Sequence, residues 1–203
     1  AELGENHYNH RIGDYATDFI DHHVGKGDDA PFAMYLAFGA PHFPIQAPAA
    51  LADESVAAYA AGWDAVRQAR YASQLALGVI DPRYPFPGLG GTGPHQAEPI
   101  VAIPPWDTLG ADRQADLARR MALYAAMIRK IDANIGKVVA RLEQAGRLDN
   151  TLICFLSDNG GNHESGVFGS GTGGPLTGAA LAGMGQPGQG DNIHYGGGWA
   201  HVS

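Results

Sequence analysis

Asp158 and Asn159 stand together after a short apolar run, Thr151–Leu156, with Ser157 before them and Gly160 and Gly161 behind. A carboxylate and an amide carbonyl are hard oxygen donors, and without His or Cys beside them they favour Ca²⁺ or Mg²⁺ over zinc. Two donors do not complete a calcium site, which needs about six to eight oxygens. The same residues also make an ordinary Asx turn at the end of a strand. The second candidate is His42, in the stretch Ala40–Pro44 after another apolar run, Ala30–Phe38. An imidazole at such a place either makes a structural hydrogen bond or supplies a switchable positive charge. Cys154 lies mid-run among apolar residues and is expected to be a buried thiol rather than a nucleophile.

The elements that would position these residues follow from periodicity. Asp14–Val24 carries Tyr15, Phe19, Ile20 and Val24 on one side and predicts a short helix ending at Gly25 and Gly27. Ala49–Val79 reads as helical with a break near Gly62. From Asp112 to Ala145, Leu117, Met121, Tyr124, Ile128, Ile131, Ile135, Val138 and Leu142 recur in steps of four and three, one apolar stripe on a long helix. Gly146 fits its left-handed C-terminal cap. Asp81–Pro105 is a long Pro- and Gly-rich loop, to whose His95 no chemistry is assigned. Ser165–Gly198 is glycine-dense, and by composition it is either a linker or a segment folded over a site mouth. Unalternating apolar runs such as Ala30–Phe38 and Thr151–Leu156 suit strands buried on both faces. Two helix–strand units imply an α/β architecture with a parallel sheet, His42 and Asp158 facing one crevice at the strand ends.

Four blocks carry a resemblance. Ser157–Gly161 (SDNGG), Pro31–Pro48 (PFAMYLAFGAPHFPIQAP), Tyr124–Asn150 and Gly198–Ala200 (GWA) resemble, in the same order, segments of the sulfatase family of the alkaline phosphatase superfamily. The resemblance implies an α/β, alkaline phosphatase-like fold, a mostly parallel central sheet flanked by helices, of which residues 1–203 would be one part of a single catalytic domain. It implies a type I, arylsulfatase-like hydrolase of sulfate esters. Asp158 and Asn159 would hold Ca²⁺, ahead of Mg²⁺, and His42 would be a catalytic residue touching the sulfate group. Related zinc phosphodiesterases carry Asp-His where this chain has Asp158 and Asn159. The family's nucleophile is a formylglycine made within a Cys/Ser-x-Pro/Ala-x-Arg motif, which attacks sulfur covalently. No such motif occurs here, and Lys26, Lys130 and Lys137 do not match the family's active-site lysines. The expectation is therefore an internal fragment, its formylglycine in a missing N-terminal segment, inactive alone. Two other readings stay open: a phosphonate or phosphate monoester hydrolase, and a non-catalytic remnant that binds a metal or a sulfated ligand. The implied partner is a small-molecule or carbohydrate sulfate ester, and the implied location is periplasmic or extracellular.

Composition narrows the rest. A formal charge of −8 over 203 residues argues against a nucleic-acid phosphate binder. No apolar stretch is long enough to span a bilayer. A single cysteine rules out an intrachain disulfide framework.

Overall fold

The computed structural model describes residues 8–27, 29–86, 103–186 and 192–202. Its helices are α1 (Tyr8–Val24), α2 (Ala49–Tyr59), α3 (Gly62–Ala76), α4 (Ala111–Gln144), α5 (Gly178–Ala182) and α6 (Gly197–Ala200), with 3₁₀ turns at Trp106–Thr108 and Leu148–Asn150. The expected helix over 112–145 is α4, 34 residues long. Asp112 lies in its first turn and Arg141 in its last, both favourable against the helix dipole. The expected glycine cap is present. Gly146 has φ 66°; its N–H donates to the Glu143 carbonyl at 2.9 Å, and the Arg147 N–H to Leu142 at 2.9 Å. That pair of bonds is a Schellman closure.

The buried face of α4 is broader than the predicted stripe. Leu117, Ile131 and Leu142 are buried, but Ile128 is 42% exposed, whereas Asp116 to Arg120, Ala122, Leu123, Ala126 and Met127 are all buried. The first half of α4 is wrapped rather than laid on one surface. Arg119 pairs with Asp53 of α2 and donates to the Ala182 carbonyl at 3.1 Å. The Trp199 indole donates to the Leu117 carbonyl at 2.9 Å. The second half of α4 takes α1, through Lys137–Asp14 at 2.9 Å and Arg141–Asp21.

The break near Gly62 separates α2 from α3. Gly62 has φ +84°, and a Cβ there would stand 2.1 Å from the Trp106 ring. This backbone approach seats Trp63 against Trp106 and Trp199, with ring centroids 4.9 and 6.0 Å away.

Inside this frame lies an ion pair. Arg120 Nε donates to Asp116 Oδ2 at 2.8 Å, both side chains being almost fully buried. Arg120 Nη1 also donates to the Ser170 and His194 carbonyls at 2.7 and 2.8 Å, and Nη2 to the Thr172 hydroxyl at 3.0 Å. Asp116 Oδ1 accepts the Leu176 N–H at 2.9 Å.

The α/β expectation is overturned: among the described residues there is no β-strand, and the architecture is all-α with extended connections. An extended run becomes a strand only when a neighbour accepts and donates its backbone hydrogen bonds. Residues 30–39 and 152–157 carry no regular secondary structure and have no such ladder among the described residues. Phe32, Met34, Leu36 and Phe38 are half-buried on one side, while Tyr35 on the other is 95% exposed. Leu152 is 89% exposed, and Cys154, expected inside, is exposed as well. The partial alkaline phosphatase-like sheet drawn from the resemblance is therefore corrected. No helix of the described residues is long and apolar enough to cross a membrane. His95 and most of the 81–105 loop lie outside the described residues.

Breaking the buried pair leaves Arg120 uncompensated in the interior. Asp116→Ala should destabilise the chain by about 3–5 kcal/mol, read as a shift in the urea midpoint; a shift under about 1 kcal/mol, the usual worth of a surface pair, would show the pair to be peripheral.

Candidate ligand-binding site

Three segments meet beside α4: 40–45, 159–170 and 192–198. The Ile45 N–H donates to Ile193 at 3.0 Å, Gly197 to Gly166 at 2.7 Å, and Gly198 to Val167 at 3.0 Å. The glycines make this possible. A Cβ at Gly169 would lie 2.0 Å from the His194 carbonyl oxygen, and φ there is +78°. At Gly169, Gly171 and Gly196 the missing side chain thus serves close backbone approach.

His194 is at the centre. Its backbone carbonyl is held by Arg120. Its ring Nδ1 accepts the Gly196 N–H at 2.9 Å, so in the neutral ring the proton sits on Nε2. The ring stacks on Tyr195 at 4.5 Å and leans on Phe43 at 6.0 Å. Burial is the first cause that pushes the His194 pKa below its usual value; the charges of Arg120 and His42 act the same way and Glu164 opposes them. Tyr195 accepts the Asn162 N–H on its hydroxyl at 2.7 Å, and burial raises its pKa. Asn162 Oδ1 in turn accepts the Glu164 N–H at 2.7 Å.

Of the residues singled out in the sequence, His42 joins this cluster. It is exposed, its Nδ1 stands 2.7 Å from its neighbour's carbonyl at Phe43, and that neighbour's ring lies 6.0 Å from the His194 ring. Asp158 and Asn159 lie on the exposed approach to Asn162. The Asn159 amide donates to the Gly160 carbonyl at 2.8 Å, and the Ser157 hydroxyl to the Asn159 carbonyl at 2.7 Å. This is the geometry of a turn. Sequence reasoning passed over His194, Tyr195 and Asn162 because they sit in an aperiodic, glycine-rich stretch. The one usable signal was His194 and Tyr195 preceding three glycines and Trp199.

The metal expectation fails on the donor set. Among the described residues no group of three or more His, Cys, Asp or Glu side chains could hold a metal ion. Among the described residues Asp158 and Asn159 belong to no such group, and the Ca²⁺, or the Mg²⁺, that the resemblance implied is corrected on that ground. With no such cluster and no sheet among the described residues, the Ca²⁺- and formylglycine-dependent sulfatase reading is corrected for this chain as well.

Comparison with known proteins gives the lineage. The Sulfatase family profile matches residues 2–198. An uncharacterized sulfatase of Schizosaccharomyces pombe is 34% identical over 146 residues, covering 72% of this chain and 25% of the relative. The arylsulfatase of Klebsiella aerogenes is 34% identical over 175 residues, covering 86% of this chain and 35% of the relative. The chain thus spans between a quarter and about a third of the length of these relatives.

The His194 environment carries a pH dependence. Its folded pKa is lower than its unfolded value of about 6.5. Between the two the unfolded chain binds more protons, so stability is complete above the unfolded pKa and falls as pH drops toward the folded one. His201, whose pKa burial also lowers, adds the same sign. His194→Asn should flatten the fall in melting temperature between about pH 6.5 and 5 relative to wild type; parallel curves would remove His194 as its source.

Proposed function

The chain belongs to the sulfatase family, and on that premise we propose that it forms a binding segment, one that takes the sulfate group of a small-molecule or carbohydrate sulfate ester between His42 and His194 without carrying the hydrolytic step. The observation that carries this reading is the packing of segment 40–45 on segment 192–198, where the Ile45 N–H bonds to Ile193 at 3.0 Å and the Phe43 ring lies 6.0 Å from the His194 ring, which brings His42 to the same corner. His194 offers an Nε2–H donor even when neutral, because its Nδ1 is occupied by Gly196. His42 turns Nδ1 to its own chain at the Phe43 carbonyl, which leaves Nε2 for a ligand. Their mutual repulsion when charged disfavours protonation of His194. An anion placed between them reverses that penalty, so binding and protonation reinforce each other. Asp158 and Asn159, on the exposed rim, are suited to hydroxyls of the alcohol part through a carboxylate and an amide. The 1–203 chain would be one portion of a longer family member, acting in the periplasm or outside the cell as the family does.

Calorimetric titration with glucose 6-sulfate tests the reading, with glucose as the uncharged control. Binding should strengthen as pH falls from about 7 to 6, and His42→Ala and His194→Ala should each weaken it about tenfold, as for loss of one charge-assisted hydrogen bond. Equal binding of glucose, or unchanged affinity in both variants, would sink the sulfate assignment.

A further inference from the structure

A second concave site lies away from the histidines. Arg67, Arg70, Tyr71 and Gln74 fall on one face of α3, spaced as successive turns require. Facing them is the turn 80–86, fastened by the Tyr71 hydroxyl donating to the Tyr84 carbonyl at 2.6 Å and by the Tyr71 and Phe86 rings 5.0 Å apart. The far wall is Val202, whose carbonyl accepts from Arg70 Nη1 at 2.6 Å. The space enclosed is about 370 Å³, within the usual size of a small-molecule pocket.

Its chemistry is one-sided. Two guanidinium groups line it, and among the described lining residues none is acidic, in a chain whose net charge is −8. Asp81, the acid of the turn, is held by Arg83 in a two-point pair at 2.7 and 3.0 Å. The Arg67 guanidinium lies 4.3 Å over the Phe86 ring. It also helps burial to lower the pKa of neighbouring His201, a sign of positive potential in this corner. Arg70 spends one nitrogen on Val202, and a guanidinium has five donors in a rigid fork.

We propose that this cleft is a binding site for a small aromatic anion, a ring of one or two fused cycles bearing a carboxylate or sulfonate. The ring packs on Phe86 and Tyr71, and the anionic group meets the Arg70 and Arg67 forks, which suit planar two-oxygen acceptors. Nothing in the His42–His194 reading requires this site, and none of its residues is shared.

The probe is 2-naphthoate, titrated into the chain by NMR or calorimetry beside its uncharged analogue 2-naphthylmethanol. The anion should bind about tenfold or more tighter than the alcohol to the wild-type chain, a comparison that needs no variant. Arg67→Gln and Arg70→Gln should each weaken naphthoate about tenfold with the melting temperature checked in parallel, and His42→Ala should leave it unchanged. Equal affinity for naphthoate and the alcohol, no saturable naphthoate binding, or full affinity in the folded Arg67→Gln/Arg70→Gln double variant would each overturn the proposal.

Discussion

The rest of the structure hangs on the buried pair of Asp116 and Arg120. Two groups on adjacent turns of α4, each almost fully removed from water, hold four separate points of the glycine-rich return through the Ser170, Thr172, Leu176 and His194 contacts. Burying a charge pair contributes little net stability, because desolvation offsets most of the attraction. What it contributes here is position. The guanidinium fork has fixed directions, so the carbonyls that meet it can take only one arrangement. The His194 ring is aimed by a backbone that Arg120 holds from behind.

Around that pair the aromatic core supplies the burial. Trp63, Trp106 and Trp199 meet edge-on and tilted within 4.9–6.0 Å of one another, one from α3, one from the 3₁₀ turn and one from α6. Trp106 and Trp199 tie their short elements to the long helix, the first through the Gln114 side chain on its carbonyl. Such rings remove large apolar areas from water while keeping an N–H that must find a partner. Trp199 finds it on Leu117 and Trp63 on the Pro104 carbonyl. The histidine cluster and the arginine-lined cleft sit on opposite uses of this same frame: one at the glycine return, the other between α3 and its following turn.

The extended segments show what the helical frame does not hold. Tyr35, Leu152, Phe155 and Leu156 present apolar side chains to solvent, and their backbones have no ladder partner among the described residues. Local propensity favours an extended backbone in these runs, since β-branched and aromatic residues suit that geometry. Pairing is a property of a second strand, which the run itself cannot supply. Family membership and sheet pairing therefore part company among the described residues, and so does the metal donor set.

Much of the helical skeleton was legible in the residues alone. The three-and-four spacing from Leu117 to Leu142, Gly146 at its cap and Gly62 between two helices determine where helices begin, break and end, because backbone geometry is decided within a few residues. His42 was legible as a candidate for the same local reason: a polar ring after an apolar run. The sequence could not decide what lies against what. Whether Thr151–Leu156 joins a sheet, whether Asp158 and Asn159 gain further oxygens, and whether His194 stands near His42 all depend on groups more than a hundred residues apart or on partners outside the run. Those outcomes belong to the tertiary structure, since burial, shared hydrogen bonds and the electrostatic coupling of two imidazoles exist only once distant segments are brought together.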